Sequence, residues 1–148
     1  NNRQTLIRII EEEDCSRSLL ALDLWTNEGT EVNLSEELGI ESGDMHRMAE
    51  TAEWLVYSLR ELSREFRRED LVKELDILRK RIVYGIKHEL IDLVRIRNVG
   101  RVRARILYKN GYKNRTALKK APLEKLAEID KIGMTIAKSI KSQVEKVR

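Results

Sequence analysis

The sequence predicts an all-α protein, an antiparallel helical bundle followed by a smaller domain of short helices. Three observations predict it. Strand signals are almost absent, with no sustained alternation of β-branched and polar residues and no Asn-Gly or Asp-Gly hairpin between apolar runs. Apolar residues recur instead at helical spacing through most of the 148 residues, which include a single proline. The charge also changes sign along the chain. Residues 1–95 carry 14 Lys and Arg against 21 Asp and Glu, a formal −7, while residues 96–148 carry 15 against 4, a formal +11. We therefore place a boundary near residue 95, with an acidic bundle at 1–95 and a basic domain at 96–148. No Gly/Ser/Pro-rich stretch intervenes, so the handover is continuous.

In the first half, helical periodicity covers about 17–28, 43–66, 68–80 and 82–95, with a short helix near 34–39. In the helix at 17–28, Trp25 shares a face with Ala21 and Leu22 and reads as core. The stretch "NLSEELGI" supplies polar capping residues before the short helix and Gly39 after it. "ESGDMHRM" offers Ser42 or Asp44 as the cap of the long helix. On that helix Met45, Met48, Ala49, Ala52, Val56, Leu59 and Phe66 form one apolar stripe. Trp54 falls roughly 160–200° from the centre of the stripe, and Arg47 lies within about 20° of Trp54 because seven residues make nearly two turns. A tryptophan and an arginine thus share the polar face. A second buried interface would explain Trp54 as packing, and a ligand would explain both residues.

In the second half shorter helices fall at about 100–110, 115–121, 123–129 and 134–147, with Pro122 placed where a first-turn proline is tolerated. Two segments repeat: "LVRIRNVGRVRARIL" (93–107) and "LAEIDKIGMTIAKSI" (126–140). Ile96, Val99, Gly100 and Ala104 correspond to Ile129, Ile132, Gly133 and Ala137, an offset of 33 residues. The pattern resembles the helix-hairpin-helix family of DNA-binding modules, here as a tandem pair. A tight hairpin with glycine lets the backbone approach a phosphate, and the next helix points free N–H groups at the anion. Arg97, Arg101 and Arg103 crowd the start of that helix, where each cation opposes the helix dipole by about 0.3–1 kcal/mol, an arrangement that suits a bound anion. The family usually has glycine two residues earlier, where this chain has Asn98 and Lys131. The second hairpin also lacks the arginine cluster, so we expect the first to bind phosphate and the second to be mainly structural.

A wider resemblance covers about residues 17–148. "ALDLWTNE" (21–28), "LGIESGDMHRMAETAEWL" (38–55) and "IKHELIDLVRIRNVGRVRARILYKNGYKN" (86–114), in this order, resemble the C-terminal region of archaeal Ski-like superfamily 2 DNA helicases of the Hjm type. The resemblance implies a ratchet-like helical bundle and a helix-hairpin-helix domain that follow two motor domains and a winged helix. It implies a DNA-facing arginine and tryptophan at Arg47 and Trp54. With the first hairpin, the expected DNA-binding residues are Arg47, Trp54, Arg97, Asn98, Gly100, Arg101, Arg103 and Arg105. The implied partners are single-stranded or forked DNA and the motor domains of the same parent chain, with no membrane.

Other chemistry fits poorly. No segment reads G-x-x-x-x-G-K-[ST], so we expect no ATP or magnesium site in this chain, and both belong to the parent's motor domains. Cys15 alone makes no internal disulfide, and His46 and His88 are too few and too far apart to suggest a metal site. Glu11, Glu12, Glu13 and Asp14 read as a solvated acidic run. Glu50 and Glu53 have no nucleophile or partner group that would make them catalytic acids. With no run of 18 apolar residues and no export signal, a cytoplasmic, nucleoid-associated protein is expected. Two other functions remain. The acidic bundle can dock onto a motor or a replication factor, or Ser35, Gly39 and Met45 can mark a helix-turn-helix that reads duplex DNA.

Overall fold

A computed structural model describes residues 14–145. Its elements are α1 (Asp14–Thr26), α2 (Glu31–Leu38), α3 (Ser42–Glu65), α4 (Glu69–Tyr84), a 3-10 turn at His88–Leu90, α5 (Ile91–Val94), α6 (Arg101–Lys109), α7 (Arg115–Lys120), α8 (Leu123–Ala127) and α9 (Gly133–Glu145). No strand occurs among the described residues, so the fold is all-α. The acidic run at Glu11, Glu12 and Glu13 lies outside them. No helix among them is long and apolar enough to cross a membrane.

The chain divides into two compact units after Ile86, not at 95. The reason is visible in residues 87–95. Lys87 and Arg95 offset Glu89 and Asp92, so the charge step is the same whichever side this segment joins. Packing decides: Leu90, Leu93 and Val94 are buried, and the 3-10 turn and α5 pack against α6.

The first unit is built around one face of α3. Met45, Ala49 and Ala52 join Ala21, Leu34, Ile40 and Ile82 in its core, with Leu22, Trp25, Met48 and Val56 packed against them. Trp25 belongs to the core as expected, and its indole N–H donates to the Ile82 carbonyl at 2.7 Å. The apolar stripe does not continue as the periodicity suggested. Leu59 is 51% and Phe66 72% exposed, while Ser63 is buried. Towards its C-terminus α3 packs along α4, where Val72 is buried and ion pairs join the two helices. Arg60 Nε lies 2.7 Å from Asp76 Oδ1, and Glu53 pairs with Arg79. Ser63 satisfies its own hydroxyl by donating to the Leu59 carbonyl at 2.8 Å. Since residue 53 meets 79 and residue 60 meets 76, α3 and α4 run antiparallel.

The helix ends also depart from expectation. α2 begins at Glu31 because Thr30 caps it, in a reciprocal capping box with Asn33. The long helix is capped by Glu41 without a side-chain bond, while the Ser42 hydroxyl donates to Glu31 Oε1 at 3.2 Å. Residues 68–80 and 82–95 do not form two helices. α4 runs unbroken to Tyr84, and Gly85 ends it in the left-handed conformation, φ +60°. A Cβ there would stand 2.5 Å from Trp25 Cε2. Gly85 is therefore required twice, by its backbone and by the indole against it.

The second unit repeats one hairpin. Val99 N–H donates to the Ile96 carbonyl at 3.0 Å, and Ile132 N–H to the Ile129 carbonyl at 3.1 Å. Ile96, Val99, Ala104, Ile132 and Ala137 are buried, with Leu107, Leu118, Leu126, Ile140 and Val144 completing the core. Pro122 stands at the N-cap of α8. Lys141 closes the C-terminus of α7, its ammonium donating to the Lys119 and Ala121 carbonyls at 2.7 and 3.0 Å.

Two outcomes test this account. Gly85→Ala, which forces a Cβ against Trp25 from a left-handed backbone, should cost about 2–4 kcal/mol in thermal or urea unfolding. At the start of α4, Arg68 donates to both carboxylate oxygens of Asp70, at 3.1 and 2.8 Å. That bonding holds the Asp70 pKa down to about 2, from an ordinary 3.8. Because the folded value is the lower one, the pair's contribution is complete above 3.8 and is lost as the pH falls through about 2. A carbon-detected NMR titration should place the Asp70 midpoint near 2 and return it toward 3.8 in Arg68→Ala.

Candidate nucleic-acid interface

On α3 the side opposite the core carries Trp54, 63% exposed. No second interface among the described residues covers it. Arg47, two turns earlier, is also exposed and pairs with Asp44 one turn before it. Seven residues separate the indole and the guanidinium by about 10.5 Å along the axis. The hydroxyls beside them turn inward: Thr51 donates to the Arg47 carbonyl at 3.0 Å and Ser58 to the Trp54 carbonyl at 2.9 Å. The ring and the cation stand outward in this row together with the exposed carboxylate of Glu50. His46 is spent locally, its Nδ1 donating to the Ser42 carbonyl at 2.9 Å. Among the described residues no cluster of His, Cys, Asp or Glu could hold a metal ion.

The first hairpin turns through Asn98 at φ +69°, and the second through Lys131 at φ +59°. Both positions where the family favours glycine are thus left-handed, and this chain fills them with residues that carry a Cβ. Asparagine tolerates the conformation, whereas for lysine it costs about 1–2 kcal/mol. Gly100 is the reverse case. It stands at the N-cap of α6 in an extended conformation, φ −81°, and a Cβ built on it meets nothing within 4 Å. Neither backbone nor packing asks for glycine there.

The arginines near this turn have different tasks. Arg103 Nε donates to the Lys131 carbonyl at 2.8 Å and its Nη1 to the Asn98 carbonyl at 3.0 Å, tying the two hairpin turns together. Arg105 pairs with Glu89 at 2.9 Å and lies over the Tyr108 ring, 5.2 Å from its centroid. Arg97 is exposed. Arg101 lines a recess of about 510 Å³ together with Gly100, Val102, Arg103 and Lys131. No acidic residue occupies the first turn of α6, so the positive end of that helix opens on the recess without a carboxylate in its own first turn. Of the eight expected residues, Arg97, Asn98, Gly100, Arg101 and Arg103 gather at this turn, Arg105 braces α6 from behind, and Arg47 and Trp54 stand on α3 in the other unit. Lys131 is the residue that sequence reasoning left out. Its place in the repeat, two before Gly133, was the signal that would have found it.

A helical bundle thus precedes two copies of one glycine hairpin, and comparison with known proteins recognises each part. Residues 8–85 match the family model described as archaeal helicase, domain 4, and residues 92–147 match that described as helix-hairpin-helix motif. The chain belongs to the archaeal helicase domain 4 family. It is 39% identical over 125 residues to the ATP-dependent DNA helicase Hel308 of Pyrococcus horikoshii, covering 84% of this chain and 18% of that protein. The Hel308 of Aeropyrum pernix is 36% identical over 131 residues, 88% of this chain and 18% of its own length. That of Pyrobaculum calidifontis is 33% identical over 138 residues, 93% and 20%. The chain thus spans about a fifth of the length of these relatives.

The two hairpin glycines should respond oppositely to a methyl group. Gly100→Ala should leave stability unchanged or raise it by about 0.4–1 kcal/mol, since its conformation suits alanine and the unfolded chain loses freedom. Gly133, at φ +60°, should lose about 1–2 kcal/mol on the same change. Paired urea melts of the two variants would show the contrast.

Proposed function

We propose that this chain is the DNA-binding accessory part of an ATP-dependent Ski-like DNA helicase of the Hjm type that acts on forked or branched DNA. In this reading α3 grips the single strand without sequence preference. Trp54 stacks on a base, Arg47 holds a phosphate or stacks in turn, and the first hairpin holds backbone phosphate through Gly100 and its arginines. The observation that carries the reading is the exposed Trp54 in register with Arg47. An indole left in water on the face opposite the core has no folding role, and stacking on bases gives it one. The basic second unit supports the same partner, because a +11 module draws a polyanion by charge alone. ATP and magnesium belong to the parent's motor domains in this reading, since no segment of this chain reads G-x-x-x-x-G-K-[ST].

A second reading rests on a different observation. Leu55, Leu59, Leu62 and Phe66 stand 51–72% exposed at i, i+4, i+7 and i+11 of α3, an apolar row suited to docking against the motor domains or another protein. The two readings use different sides of α3 and are compatible. The helix-turn-helix reading gains nothing: Met45 is buried in the core, and the unit that holds α3 is acidic.

Fluorescence anisotropy of a labelled single-stranded oligonucleotide, with the unmodified chain and Trp54→Ala at two salt concentrations, tests the proposal. Binding should weaken with salt, and the folded variant should lose about 1–3 kcal/mol. Equal binding by both proteins would remove Trp54 from the interface.

A further inference from the structure

The two hairpins are followed by helices of unequal length. At the 33-residue offset, Lys109 at the end of α6 corresponds to Ser142, yet α9 continues to Glu145. The added residues carry Gln143, and its amide reaches back to the first hairpin. Oε1 accepts the Arg97 backbone N–H at 2.8 Å, and Nε2 donates to the Arg97 carbonyl at 3.3 Å. One side chain therefore holds both polar backbone atoms of a residue 46 positions away. Nε2 also donates to the Ser139 carbonyl at 3.1 Å, which fixes the amide against its own helix. The Gln143 carbonyl in turn accepts from Arg115 Nη2 at 3.3 Å, and the Arg115 N–H donates to Asp92 Oδ2 at 2.8 Å. Among the described residues the first repeat shows no reciprocal contact from Asn110 to the second hairpin. Asn110 occupies the position equivalent to Gln143, and its amide donates at 2.8 Å to the Ile106 carbonyl in its own helix.

We propose that Gln143 is a positioning residue for the phosphate contact of the first hairpin, and that the second hairpin carries the helix which delivers it. The inference rests on the reading that this hairpin binds DNA. Arg97 precedes Asn98, which holds a left-handed conformation, φ +69°, that asparagine tolerates but does not prefer. Gln143 grips the chain on one side of that residue, and Arg103 grips the Asn98 carbonyl on the other. Release of the first grip frees the Arg97–Asn98 peptide to rotate. Asn98 can then leave the left-handed region, and Gly100 with the start of α6 swings away from the recess. Gln143 touches no ligand. It acts by keeping the turn in one conformation before the ligand arrives, so that binding does not have to order it.

The test uses the whole chain, a fluorescein-labelled forked oligonucleotide and amide hydrogen exchange. Gln143→Ala should raise the Kd about fivefold, the equivalent of an ordinary hydrogen bond, and should speed exchange at the Arg97 amide while circular dichroism stays helical. Gln143→Met, which keeps the length of the side chain and removes both bonds, should behave alike and serves if the alanine variant does not fold. Arg97→Ala is run beside them. Weaker binding by Arg97→Ala with unchanged binding by both Gln143 variants overturns the positioning role and leaves the hairpin reading intact. Unchanged binding by both Arg97→Ala and Gly100→Ala removes the hairpin from the interface, and the proposal falls with it.

Discussion

The burial of Ala49 and Ala52 in the core organises the first unit. These two small residues sit at the middle of the buried face of α3, against Ala21 and Ile82. A helix as long as α3 buries only one side against the short helices beside it. The side fixed by Met45, Ala49, Ala52 and Val56 determines what remains outside. Trp54 and Arg47 face water because the alanines face the core. Leu55, Leu59, Leu62 and Phe66 lie between these two sides, too far round the helix for α4 to cover. Along its contact with α4 the pairs Glu53–Arg79 and Arg60–Asp76 flank Val56. These partly exposed pairs fix the register of the two helices more than they add stability.

The second unit depends on a different device. Its helices are short, and none would persist alone in water. Buried residues at matching positions of the two hairpins hold them together, and the guanidinium of Arg103 joins the two turns through backbone carbonyls. An arginine at the start of a helix is electrostatically misplaced. Here it is retained because its donors are used by the opposite turn, and this gives Arg103 a structural reason beside any contact with DNA.

Much of this was legible in the residues. Helical periodicity gave the class and most of the elements, and the repeat of Ile96, Val99, Gly100 and Ala104 at 129–137 gave the paired hairpins. What failed did so for identifiable reasons. Leu59 and Phe66 keep the period of the core stripe, but periodicity does not say whether a neighbour is present to cover them. Gly85 signalled the end of α4, yet the apolar spacing around it resembled a second helix. The charge step could not locate the domain boundary, because residues 87–95 are neutral as a group. The cap of α2 was sought within "NLSEELGI", but it is Thr30, outside that stretch, with Asn33 as its partner inside the helix. At the candidate interface the local cluster at 97–103 was readable from spacing. Lys131 and Gln143 reach the same turn from far along the chain, and only folding brings them there.

The two tryptophans divide the chain's ultraviolet emission between two environments. Trp25 is half-buried, with its indole N–H held by a carbonyl, and such a ring emits to the blue and is shielded from dissolved quenchers. Trp54 is largely exposed, so its emission should lie to the red and be open to collisional quenching. The same division that assigns one ring to folding and the other to the surface gives the protein an internal reference beside a reporter. A molecule settling on the outer face of α3 alters the red component and leaves the blue one in place.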